Sequence, residues 1–261
     1  MAGVMQVLKA VLTAPTASFR HPLVMIGRLP TYELPPPATV YGLLCAALGE
    51  WFAPGDLAFA YTFTHQGVGE DVELAQVLEV KQVKKDKNLG GLPKNVEGSL
   101  NPQRREFLLK PRLTLYLKGE PALLQKLQAA LFSPRFALLL GRSQDLATCH
   151  SARLVELVPE SSAFFSHTIL PWHLRQFAVV GEPVYMPVTI DYRRLREPVF
   201  QRYLQLTRTP LRLWGSDDAA GTEPDVLSRQ AFGQLWVDRE EKQALGAGEL
   251  YRGVWFHAWR G

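Results

Sequence analysis

The side chains best suited to chemistry in this sequence are cations, and they are crowded together. Residues 81–118 hold ten Lys or Arg against three acidic residues, while the remaining positions hold 19 basic and 22 acidic residues, for a net charge of +4. Lys81, Lys84, Lys85, Lys87, Lys94, Arg104 and Arg105 form the dense part of this patch. One concentrated patch on an otherwise slightly acidic chain is the footprint of a polyanion contact. A charge run alone would equally describe a solvated loop. The Gly90-Gly91 pair and the Asn and Pro around it favour contact, because a side-chain-poor tip flanked by cations can close on a phosphate backbone with strong salt dependence. Arg20 and Arg28 add forked donors that suit phosphate, or alternatively surface ion pairs. Gly141 lets a backbone approach closely, and Arg142 and Ser143 beside it can donate to an anion. The start of a helix near Thr39 presents backbone N–H groups at Ala38 and Thr39, a permissive anion site.

Several other chemistries are disfavoured by the same inventory. The six histidines, His21, His65, His150, His167, His173 and His257, are scattered, and no Walker loop, zinc spacing or His-Glu-x-x-His occurs. No cofactor or metal is therefore expected. Cys45 and Cys149 make neither a disulfide framework nor a ligand set. The longest apolar run, residues 38–48, falls short of the roughly 20 residues a membrane span needs. Nothing marks the chain for export, so a cytoplasmic location with no membrane partner is expected.

These residues need a scaffold, and at 261 residues with 47% apolar composition the chain can bury a core. Residues 5–12 read as a buried strand. After the Pro35-Pro36-Pro37 run, apolar positions at Val40, Leu43, Leu44, Ala47, Leu48, Trp51 and Phe52 predict a helix that Thr39 caps and Pro54-Gly55 closes. Alternation through Leu57, Phe59, Tyr61 and Phe63 predicts a strand, residues 72–83 a further one, and residues 88–102 a loop. Leu113, Leu115 and Leu117 mark another strand; Pro121 opens a helix carrying Leu124, Leu127 and Leu131; residues 136–140 read as a short strand. The order is that of a ferredoxin-like (RRM-like, βαββαβ) α+β domain over residues 1–150, with a protruding insertion at about 81–105. Residues 151–261 read as a smaller β-rich portion, with strands near 152–158, 184–192 and 251–259. Arg193, Arg194 and Arg196 form a second, smaller basic cluster there. No repeat of fixed period is present.

Phe19-Arg20-His21-Pro22, Gly27-Arg28, the stretch from Thr31 and Tyr32 through Pro35-Pro36-Pro37-Ala38-Thr39-Val40-Tyr41-Gly42-Leu43-Leu44, and Leu140-Gly141-Arg142-Ser143 together resemble the fifth CRISPR-associated protein family of the RAMP superfamily. The Phe-Arg-x-Pro element and the Pro-Pro-Pro-x-Thr-Val-x-Gly-Leu-Leu helix start are fairly specific as a pair. The resemblance covers about the first 150 residues. It implies a noncatalytic Cascade subunit that grips the 5′ handle of the CRISPR RNA (crRNA), with the insertion as a thumb. The implied neighbours are the Cascade backbone subunit and large subunit, and the thumb would also meet target DNA. Under this reading Phe19 and Tyr32 either stack on splayed handle bases or simply pack.

One subtype of that family cuts precursor crRNA without metal. Such chemistry requires a base for the 2′-OH and an acid for the leaving oxygen. His65 and Tyr32 are the residues that can meet near the sheet, so a metal-independent endoribonuclease is the alternative to a pure binding module.

Overall fold

The computed structural model describes residues 3–22, 24, 27–53, 55–76, 100–191, 195–217, 223–245 and 248–259. The first strand, β1 (Met5–Thr13), is buried on both faces through Val7–Leu12, which is why its sequence is nearly all apolar and why it lies inside the sheet. It is followed by α1 (Pro37–Leu48), β2 (Leu57–Thr64), a hairpin of β3 (Gly67–Gln76) and β4 (Leu100–Leu109), then β5 (Arg112–Gly119), α2 (Pro121–Phe132) and β6 (Thr148–Glu160). The strands order as β6-β1-β5-β2, all antiparallel, with Leu8 opposite both Leu117 and Leu154. Both helices pack on one face of this sheet through Leu43, Leu44, Leu124, Leu127 and Leu131.

Local chemistry sets the helix ends. Each helix begins with a proline at its first position, where the missing N–H costs nothing. The expectation that Thr39 caps α1 is corrected: Pro36 is the N-cap, no side chain caps it, and the Thr39 N–H is bonded to Pro36 O at 2.8 Å. The helix also stops earlier than its apolar pattern implies. Gly49 takes φ 78° and donates its N–H to Cys45 O at 2.8 Å, a left-handed C-cap that turns Trp51 and Phe52 out of the helix. A second correction concerns the fourth strand. Residues 136–140 form only a bridge, Leu139 to Leu146, and the strand that pairs with β1 is β6.

The later part of the chain is mostly strand: β7 (Ser162–Phe165), β8 (Thr168–Pro171), β9 (Glu182–Asp191), β10 (Glu197–Leu206), β11 (Leu211–Ser216), β12 (Val226–Ser228), β13 (Leu235–Leu245) and β14 (Gly248–Gly253). Among the described residues, five of these extend the central sheet past β6 in the order β13, β14, β7, β11, β12. Strands β8, β10 and β9 form a separate sheet whose Ile169, Met186, Val188 and Tyr203 join the core around α1. His257–Ala258 then returns to pair with β2 at Phe59 and Ala58. Trp259 is buried beside it, stacked on Phe59 at 4.2 Å, with its Nε1–H donated to Pro37 O at 2.8 Å. One hydrophobic core thus draws on residues from Leu8 to Trp259.

Candidate nucleic-acid interface

The groove. The N-terminal turn of α1, the extended segment around Ser18–Arg20, the loop 139–144 and one side of the β3–β4 hairpin enclose a groove of about 980 Å³. Seven residues singled out from the sequence line it together: Phe19, Arg20, Thr39, Arg105, Gly141, Arg142 and Ser143. Their meeting depends on one close crossing of backbones. Gly141 has φ 117°, and a Cβ there would lie 2.0 Å from Ser18 O, while the Ser18 N–H donates to Leu140 O at 3.2 Å. The backbone that glycine admits is therefore the chain's own, and any side chain would push the Ser18–Arg20 strand off the loop.

A charged knot holds the hairpin to this crossing. Asp145 is fully buried and accepts from Thr16 Oγ1 at 2.6 Å, from the Arg142 backbone N–H at 3.0 Å and from Arg142 Nε at 3.1 Å. Arg142 reaches onward to Glu73 at 3.0 Å and Asp71 at 3.6 Å on β3, and its guanidinium lies over the Phe107 ring. Burial works against its charge, but the bonds to Asp145 and Glu73 outweigh that and hold its pKa above the ordinary value. Arg105 Nε shares Glu73 at 2.6 Å. Both arginines are thus already matched with carboxylates and act first as ties between hairpin and body.

Other residues singled out from the sequence lie elsewhere or face inward. Arg28 pairs with Glu70 at 3.2 Å and Glu106 at 2.9 Å, and Arg104 with Glu70 at 3.6 Å, so these two cations take the surface ion-pair role. Tyr32 is buried, stacks on His21 at 4.6 Å and donates its hydroxyl to Tyr185 O at 2.7 Å, and burial pushes its pKa up to about 12. Phe19 is buried edge-on against Phe63 at 5.4 Å. Neither ring offers a face to solvent. Lys81, Lys84, Lys85, Lys87 and Lys94, with Gly90-Gly91, Arg193 and Arg194, lie outside the described residues.

Comparison with known proteins decides the family. The family described as CRISPR-associated protein (Cas_Cas5) matches residues 7–177, more than half of the sequence. The chain belongs to the CRISPR-associated Cas5 family. No curated protein sequence matches it. Among solved structures, it is similar to a chain of a CRISPR RNA-guided surveillance complex, at 16% identity over 77% of this chain and 91% of that one, with a TM-score of 0.47. It is also similar to a CRISPR protein from Archaeoglobus fulgidus, at 13% identity over 82% and 94%, TM-score 0.46. A chain of a type III-B Cmr-beta complex bound to cognate target RNA aligns at 10% identity over 79% and 86%, TM-score 0.45.

In this Cas5-family chain the groove has a wall that sequence reasoning left unassigned. Pro187 and Ile190 of β9, Pro198 and Phe200 of β10, and Arg196 just before β10 also line it. Arg196 stands in that wall with φ 63° and no ion-pair partner among the described residues. The Arg193-Arg194-x-Arg196 cluster was the one signal that could have found it. A second feature, invisible in a list of scattered histidines, is that His65 and His167 line one cavity of about 250 Å³ with Arg208. His65 Nδ1 is within 3.1 Å of Gly67 O; His167 is half-buried at φ 55°, and burial, then Arg252, His65 and Arg208, lowers its pKa. Among the described residues, no group of three or more His, Cys, Asp or Glu is arranged to hold a metal ion, and no helix is long and apolar enough to cross a membrane.

Proposed function

We propose that this Cas5-family chain is a noncatalytic subunit of a CRISPR effector complex and holds the 5′ handle of the crRNA in the groove between α1 and the hairpin. The observation that carries this reading is the convergence of Arg20, Thr39, Gly141, Ser143 and Arg196 on one cavity beside the positive end of α1. The β6-β1-β5-β2 order around two helices supports a ferredoxin-like core that begins with β1 and runs past residue 150 to the end of β6 at Glu160. The β3–β4 hairpin, inserted between β2 and β5, supports a thumb. The β-rich portion beyond β6 supplies further lining of the groove, and the thumb and sheet edges offer surface to the backbone and large subunits and to target DNA.

A direct test is the affinity for the chain's own repeat RNA across a salt series. Replacing Lys84, Lys85 and Lys87 together with Glu is expected to weaken retention and flatten the salt dependence, since each phosphate contact contributes a slope of roughly 0.7 for a single strand. Melting temperature should not move. Unchanged affinity and slope would sink the thumb's assignment.

The His65–His167–Arg208 cavity favours one second reading, a metal-independent endoribonuclease. Two imidazoles and a guanidinium lining one cavity are a workable acid–base set for attack by a 2′-OH. Tyr32, buried and bonded, is not placed for that part. Incubation with repeat RNA in chelator separates the readings: a specific product, lost on His65→Ala, replaces the binding-only role.

A further inference from the structure

The face of the central sheet turned away from α1 and α2 is covered over only part of its length. At one end Val7, Ala60, Tyr116, Val155 and Leu157 are sealed by Val254, with Trp236 and Phe256 packed against them. At the other end, where β2 leaves for the hairpin and β5 returns from it, no apolar cluster covers the face: Thr64 is exposed and Ser151 half-buried, while Val11, Thr62 and Thr114 lie at the floor of a recess. There Val11, Thr62, Thr64, Thr114 and Ser151 line a cleft of about 460 Å³. The register places them side by side: Val11 lies opposite Thr114 and Ser151, Thr114 opposite Thr62, and Thr64 opposite Arg112. Directly opposed residues share a face, so the Thr62 and Thr114 hydroxyls stand side by side, and Val11 separates Thr114 from Ser151.

Threonine is at home on a solvated strand and by itself requires no ligand. The walls make the difference. Lys9 is nearly buried and bound to Asp238 at 2.5 Å, Glu240 at 3.2 Å and Glu241 at 3.3 Å. Arg153 pairs with Glu240, and Arg252 pairs with Glu241 at 2.5 Å while donating to Ser166 O at 3.2 Å. Three cations thus balance three carboxylates in a fixed lattice that gives the cleft a rigid side. Arg112 stands outside it, exposed, with no carboxylate partner among the described residues. The hydroxyls of Thr62, Thr64, Thr114 and Ser151 likewise have no protein partner among them.

What remains is a donor-rich cleft with one unmatched positive charge, at the root of the hairpin. Hydroxyls and a guanidinium fork are the donors that phosphate oxygens take, and a hydroxyl can also accept from a ribose 2′-OH. The volume lies in the range of a small-ligand site, room for about one or two nucleotides and far too narrow for a duplex. We propose that this cleft is a second contact for single-stranded RNA, gripping the backbone of a strand that passes the hairpin root on the sheet face opposite the groove. The site is independent of which RNA fills the groove.

The test uses the full chain and a labelled oligouridine with no repeat sequence, followed by anisotropy over a salt series. Arg112→Glu is expected to weaken binding about tenfold at low salt and to reduce the log–log salt slope by roughly 0.7, the value of one phosphate contact on a single strand. Thr62→Val with Thr114→Val should weaken binding a few-fold with the slope intact, because hydroxyls carry no charge. Arg112→Gln serves as a milder partner should the reversal disturb folding, and Arg196→Glu reports on the groove alone. Wild-type affinity and slope for both Arg112 variants would overturn the proposal whatever Arg196→Glu does. A loss confined to the Arg112 and threonine variants would leave this cleft standing and count against the groove.

Discussion

The two faces of the central sheet are built from alternate residues of the same strands, yet they do opposite things. Toward the helices, Leu8, Leu12, Phe59, Tyr61, Phe63, Leu113, Leu115 and Leu117 are all but fully buried, and Met186, Tyr203 and Trp259 are brought in from later in the chain to complete that layer. On the reverse, Thr62, Thr114 and Ser151 line a cleft walled by Lys9, Arg112, Arg153 and Arg252. Since side chains alternate along a strand, one residue's step decides whether a position serves the core or the solvent. The contrast teaches where to look for each kind of effect: substitutions on the helical face, and at the end of the reverse that Val254 seals, are read in stability, and those at the uncovered end of the reverse in binding.

The sharpest challenge to that division is Trp259→Ala. Loss of the ring should cost about 3–5 kcal/mol of unfolding free energy, and it strips Pro37 O of its donor. A denaturant titration measures this, and a loss below about 1 kcal/mol would mean that the late strand does not complete the helical face. Next in size is a pH effect at His257, on the same face. Its imidazole bonds Ile169 O at 3.0 Å, and burial pushes its pKa down to about 4. The unfolded chain takes up this proton below about 6.5 whereas the folded chain waits until about 4, so stability is full above that window and declines as pH falls through it, by about 3 kcal/mol. His257→Gln should remove roughly one proton's worth of that slope; an unaltered pH profile contradicts the assignment. The smallest effect is expected at the groove. Arg142→Ala leaves the buried Asp145 with fewer donors, a cost of about 1–3 kcal/mol, and should weaken binding of repeat RNA more than of arbitrary RNA because the hairpin loses its tie to loop 139–144. Equal losses on both RNAs would show that Arg142 does not position the groove.

Much of the scaffold is legible in the residues. Proline at each helix start, leucines at helical spacing in α2 and the aromatic alternation of β2 follow from local stereochemistry. The misreadings have physical causes. Trp51 and Phe52 continue an apolar period that Gly49 ends through its backbone alone. The strand expected near 152–158 is β6 itself, but it belongs to the first sheet and not to the later portion, because the all-apolar stretch 136–140 imitates a buried fourth strand ahead of it. The charge count opened at residue 81 and so missed Glu70, Asp71 and Glu73, which the hairpin folds directly against Arg104, Arg105 and Arg142. Convergence of Arg20, Thr39 and Gly141 was visible as motifs, but Arg196 and the lattice around Lys9 depend on pairings across the whole chain, with Lys9 and Asp238 separated by 229 positions. No local pattern encodes such a meeting.

The bond from Trp259 to Pro37 carries a consequence for biosynthesis. Its two partners are 222 positions apart, so while a ribosome is making this protein the helix α1 emerges long before the indole that covers its first turn. In the interval, the outer edge of β2 is unpaired at Phe59, an invitation to stray pairing with another nascent chain. Contacts of such long reach slow folding, and a chaperone or an assembling neighbour that shields this edge would act in the period before residues 257–259 arrive.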